Sequence, residues 1–234
     1  SGGIVVTDTA VPSVNDGRVS WGRGDTLTAI YGDPNSSDTT SDTALSMEIA
    51  TTGVVSIYED SAFTDVTDTL TTRDQFFVEV VDTDENRNPQ LSDTVRVVVY
   101  VGNGTTEGGS AGGLVLDTQT LVLTENSRVS GIFRSDTWAI ADTEAATAES
   151  GRLTWGRGDT LQVSYTDVTG TSEEGSDTAL ALEIASTASA QIFEDAGYTD
   201  GVDTMLTRDV MFVWVQDTDE NRNPQLKDTV SVTV

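Results

Sequence analysis

The chain of 234 residues carries a formal net charge of −27, with a single lysine and no cysteine or histidine. That composition excludes disulfides, zinc sites built on Cys or His, thiolate nucleophiles and Ser-His-Asp triads. It also argues against nucleic acid as a partner, since phosphate binding needs clustered basic groups.

No apolar run approaches the roughly 20 residues that span a bilayer, so no membrane insertion is expected. Ser1-Gly2-Gly3-Ile4 does not read as a signal peptide, which points to a mature chain or a piece of a longer one. So large a charge opposes compaction unless it is screened or neutralised, which points to a salty medium, to repulsion between neighbouring molecules or to bound cations. Threonine, valine and aspartate dominate, and short apolar runs are punctuated by Gly, Asp, Asn and Pro. The predicted fold class is therefore all-β, of sandwich type.

In chain order, the first distinctive block is Trp21-Gly22-Arg23-Gly24-Asp25-Thr26-Leu27. The tryptophan is expected to plug a core and Gly-Arg-Gly to form a bulge or bend, which makes Arg23-Gly24-Asp25 structural instead of an integrin motif. Leu27, Ala29 and Tyr31 alternate as one face of a strand. Ser41-Asp42-Thr43-Ala44-Leu45 and Ile57-Tyr58-Glu59-Asp60 follow. Phe76, Val78 and Val80 then form the inward face of a strand, with Phe77 and Glu79 on the other. The polar corner Asp82-Thr83-Asp84-Glu85-Asn86-Arg87-Asn88-Pro89-Gln90-Leu91 comes next, and Val95, Val97 and Val99 begin another strand.

All of these blocks return. The tryptophan block recurs at 155–161, Ser-Asp-Thr-Ala-Leu at 176–180, Ile-Phe-Glu-Asp at 192–195 and the polar corner, letter for letter, at 217–226. The offset is 134 for the first block and 135 for the others. An ancestral unit of that length has been duplicated. The Gly-rich stretch 102–113 reads as a flexible linker. The expected organisation is a first domain at 1–101, the linker at 102–113 and a second domain at 114–234.

The halves differ at their beginnings. Residues 1–18 align with 135–152, so nothing in the first half matches 114–134, which reads as a β-hairpin or two strands. A first domain lacking that segment has an open edge, a hazard unless filled. It is expected to be completed by a preceding repeat, by a neighbouring subunit of a fibre, or by the 114–134 hairpin folding back. Strand donation is an established mode of β recognition.

The polar corner carries the main chemical candidates: Asp82, Asp84, Asn86, Asn88 and Asp93, with Asp217, Asp219, Asn221, Asn223 and Asp228 in the second copy. Calcium takes six to eight oxygen ligands, and alternate spacing lets several converge. Arg87 and Arg222 stand where an EF-hand needs glycine, and the flanks are strands, so an EF-hand is excluded. A calcium loop of another shape and a metal-free Asx-turn corner both fit. The other acidic clusters, around Asp33, Glu59, Glu173 and Glu194, read first as solvated loops. Asn35 and Asn103 head glycosylation sequons. A carboxylate-only hydrolase is a third-ranked reading, because no acid pair stands out.

The polar corner resembles the Asp-x-Asn-Asp-Asn-x-Pro linker of cadherins. With Thr120-Leu121, Glu125, Gly131, the Gly-Asp-Thr-Leu strand and the later Asp-Thr-Ala, it resembles the immunoglobulin-like (cadherin-like) repeats of large bacterial and archaeal extracellular surface proteins. The resemblance implies two tandem immunoglobulin-like β-sandwich domains at the cell surface. The expected function is a non-enzymatic structural subunit or stalk of an extracellular filament, self-associating head to tail and stiffened by calcium. An adhesin or carbohydrate-binding module is the alternative and would need an exposed aromatic platform, for which Trp138 and Trp214 are the candidates.

Overall fold

The computed structural model describes residues 3–47, 50–102, 115–142, 145–167, 174–182, 185–220 and 227–234, and among them the protein is all-β, without a helix. Among the described residues no helix is long and apolar enough to cross a membrane. In chain order the strands are β1 (Val5–Thr7), β2 (Arg18–Ser20), β3 (Thr26–Gly32), β4 (Thr39–Leu45), β5 (Val54–Tyr58), β6 (Thr69–Thr71), β7 (Gln75–Val81) and β8 (Thr94–Gly102). They continue as β9 (Val115–Glu125), β10 (Ile132–Arg134), β11 (Trp138–Ala141), β12 (Leu153–Thr154), β13 (Thr160–Thr166), β14 (Glu174–Leu182), β15 (Ser189–Phe193) and β16 (Phe212–Gln216).

Strands β5 to β14 form one sheet in the order β12-β11-β7-β10-β9-β8-β13-β14-β6, with β5 on the other edge of β7. The sheet curls until β14 packs on β5, and the Ile57 N–H donates to Asp177 Oδ2 across that seam at 2.8 Å. The alternation read from sequence points inward as expected: Phe76, Val78 and Val80 on β7 are fully buried, as are Val95, Val97, Val99 and Val101 on β8. Trp155 is wholly buried and plugs this core, which runs from Val55 to Ala181.

The core therefore draws on both sides of the stretch 102–113. That stretch connects β8 to β9, which lie antiparallel side by side. The segment 114–134, unmatched in the first half, supplies β9 and β10, which pair with β8 and β7. Of the three ways to complete the open edge, the hairpin folding back is the one observed: β9 and β10 pair with the edges of β8 and β7 and add Leu121, Leu123 and Phe133 to the core.

On either side of this central unit lie smaller sheets. β1 pairs with β2 and β3 with β4 before it, and β15 pairs with β16 after it. By the internal repeat, β1 to β4 correspond to β11 to β14, and β15 and β16 to β5 and β7. The turn Gly22-Arg23-Gly24-Asp25 is a tight bend in both copies: Gly24 and Gly158 have φ of 81° and 86°, a left-handed conformation that glycine adopts without steric cost. Asp25 and Asp159 close it by accepting from the Gly22 and Gly156 N–H at 2.9 and 2.7 Å.

Candidate metal centre

The corner after β7 is built by hydrogen bonds that its own sequence supplies. Asp93 Oδ2 accepts from the backbone N–H of Arg87 and of Asn88, both at 2.8 Å. Asn88 Oδ1 accepts from Gln90 N–H at 2.9 Å, an Asx turn around Pro89. Asn88 and Asp93, two of the expected ligands, thus hold the bend. Behind it the buried Glu125 carboxylate accepts from Ser130 and Gly131 N–H at 2.8 and 2.9 Å. Gly131 sits at φ 61°, and a Cβ there would come within 2.8 Å of Thr83 Cα. No other residue fits at Gly131 without moving the corner.

Asp82 and Asp84 do converge, joined by Asp167 from the end of β13. All three are buried, and one carboxylate oxygen from each lies within 4.8 Å of the others. Calcium–oxygen distances run about 2.3–2.6 Å, so one ion can touch all three. Thr51 Oγ1 lies 2.6 Å from Asp84 Oδ1 and 3.0 Å from Asp82 Oδ1, and its one hydroxyl proton serves one of them at a time. Tyr165 donates to Asp82 Oδ2 at 2.7 Å.

Burial first, and the adjacent Asp84 second, push the Asp82 carboxyl up to about 7, against the pull of the Tyr165 and Thr51 hydroxyls. For Asp84, burial also acts upward, but hydrogen bonds from Asp82, Thr51 and its own backbone outweigh it and hold it below the ordinary carboxylate range. Burial and then Asp82 push the Tyr165 phenol upward, which keeps it a donor. A divalent cation would offset the cost that burial and the neighbouring Asp84 place on an ionised Asp82. Buried carboxylates without histidine or sulfur are hard donors that suit calcium.

Asn86 is buried in the same turn; its Nδ2 donates to the Asp8 carbonyl at 3.4 Å and its Oδ1 has no hydrogen-bond partner. Glu85 pairs with Arg87, and Arg23 lies 3.7 Å from its other oxygen. A Cβ at Gly22 would overlap the Arg87 carbonyl oxygen. The corner is thus where the segment of β1 to β4 meets the central unit.

The second copy repeats part of this. Ser186 Oγ lies 2.6 Å from Asp219 and 3.3 Å from Asp217, as Thr51 does in the first, and Arg157 faces Glu220 at 3.7 Å as Arg23 faces Glu85. Asp217 and Asp219 are half-buried here, unlike the buried Asp82 and Asp84. Asp228 is exposed, and Asn221 and Asn223 lie outside the described residues.

Sequence reasoning missed Asp167, Tyr165 and Thr51. The available signal was the repeated Tyr-x-Asp of Tyr31/Asp33 and Tyr165/Asp167, and a hydroxyl residue, Thr51 or Ser186, at one fixed distance before each corner. Of the aromatic candidates, Trp138 packs partly buried against the core and Trp214 is exposed beside no second exposed tryptophan among the described residues. Asn35 stands exposed in the β3–β4 turn, and Asn103 is outside the described residues. No protein-family model matches the chain, and no curated protein matches it significantly.

Proposed function

We propose that the chain is a structural subunit or stalk of an extracellular cell-surface filament, built of immunoglobulin-like β-sandwich repeats that associate head to tail and are stiffened by calcium. The observation that carries this reading is the position of the polar corner. Each copy of the tryptophan turn packs on a copy of the corner, Arg23 with Glu85 and Arg157 with Glu220. An ion held by Asp82, Asp84 and Asp167 would therefore tie the β7–β8 corner to the end of β13 beside the contact with the preceding segment. In this reading the carboxylates are ligands and turn formers, and the protein is not an enzyme.

Two measurements test it together. Electron microscopy at rising concentration should show linear oligomers. Calcium should raise the melting temperature of the wild type above that seen with sodium chloride of equal ionic strength, and Asp84→Asn should abolish that increment. Strictly monomeric particles with a melting temperature unmoved by calcium or EGTA would refute both parts.

A further inference from the structure

The structure contains one complete unit and, by the internal repeat, the two complementary halves of another. We propose that the β3–β4 hairpin of one copy docks into the open cleft of the C-terminal segment of a second copy, completing a composite unit at each joint. This deepens the head-to-tail reading and rests on it.

The template is the central unit. There β13 and β14 close the core over β5, β7 and β8, with β13 antiparallel to β8 in the register Val97↔Tyr165, Val98↔Ser164, Val99↔Val163. The counterparts of those covering strands are β3 and β4. The counterparts of the covered ones are β15, β16 and residues 229–234; among the described residues β3 pairs with β4 and β15 with β16, each pair in a sheet of its own.

The exposures register the missing partner. Tyr165 is 2% exposed and its counterpart Tyr31 is 60%; Val97 is 1% exposed and its counterpart Val232 is 48%. Between β15, β16 and residues 232–234 lies an open cleft of about 650 Å³ lined by Ile192, Met211, Val213, Val232 and Val234. The central unit fills the equivalent space with Leu161, Val163 and Ala179.

The polar contacts match as well. In the central unit Arg73 Nε donates to both oxygens of buried Asp142 at 2.8 and 2.9 Å; the counterparts are Arg208 on the cleft side and Asp8 on the docking side. Asp177 accepts from Ile57 N–H, and its counterpart Asp42 would accept from Ile192. The docked hairpin also brings Asp33 toward Asp217 and Asp219, the places of Asp167, Asp82 and Asp84.

Three substitutions shape the fit. Gly53 and Gly175 allow close approach in the central unit, where added Cβ atoms would meet the Tyr165 ring and the Gly53 carbonyl. Ala188 and Thr40 stand at the equivalent positions, so the joint sits wider there, and the small Ala190 in place of Val55 leaves room.

Because the chain has no cysteine, single introduced thiols report the register cleanly. Ile30 and Thr233, the counterparts of Ser164 and Val98, are expected directly opposite each other, within disulfide reach. Ile30→Cys mixed with Thr233→Cys under mild oxidation should give mixed disulfide dimers several-fold in excess of either homodimer. Val14→Cys, exposed and outside the joint, should give no such excess with Thr233→Cys. Equal yields for both mixtures would overturn the proposal, as would an intrachain disulfide in a monomeric double variant. Linear oligomers without the Ile30–Thr233 cross-link would overturn this joint and leave head-to-tail association standing. Monomers at every concentration would overturn both.

Discussion

Asp159 closes the Gly-Arg-Gly-Asp turn at the head of β13, and its neighbourhood sets an identifiable cost. Burial pushes its carboxyl up to about 6 from an ordinary 3.8, with the Gly156 N–H acting in the opposite direction. A raised folded-state value means that its contribution to stability is fully present below pH 3.8 and is lost as pH rises through about 6. Asparagine keeps the acceptor for Gly156 and removes the charge. Asp159→Asn is therefore expected to melt about 2–4 °C higher than the wild type at pH 8 and to show no gain at pH 4, as followed by circular dichroism. A gain of equal size at both pH values would show that charge is not the cause.

At the scale of elements, identical side chains at equivalent positions have different worth. Val97 on β8 is packed between β9 and β13, whereas Val232 follows the same corner in the second copy and faces an open cleft. Val97→Ala removes two methyl equivalents from a closed core and should cost about 2 kcal/mol in denaturant unfolding. Val232→Ala should cost less than about 0.5 kcal/mol in dilute, monomeric solution and should weaken association at high concentration. Equal costs for the two in dilute solution would mean that the C-terminal segment is already covered within one copy.

At the scale of the molecule the net charge of −27 dominates solution behaviour. Self-repulsion among exposed carboxylates is screened as the Debye length falls from about 30 Å at 0.01 M salt to about 3 Å at 1 M. The melting temperature should rise across that range of sodium chloride for the wild type and for Asp84→Asn alike, because this effect belongs to the whole surface. A flat salt response would show that the acids are locally neutralised and that net charge does not limit stability.

The sequence by itself determined the all-β class, the duplicated unit, the inward faces of β7 and β8, the bend at Gly24 and Gly158, and two of the three acids of the triad. Each of these follows from local rules: side-chain alternation, the conformational freedom of glycine, and the hydrogen-bonding reach of Asp and Asn. Only the tertiary structure decided where the core closes and which acids meet. The stretch 102–113 looks like a divider because composition reports local flexibility, yet the strands on either side of it pair, because buried apolar area governs packing. Asp167 reaches Asp82 and Asp84 only because β13 runs antiparallel to β8, a pairing between residues 58 to 68 positions apart that no short window of sequence contains.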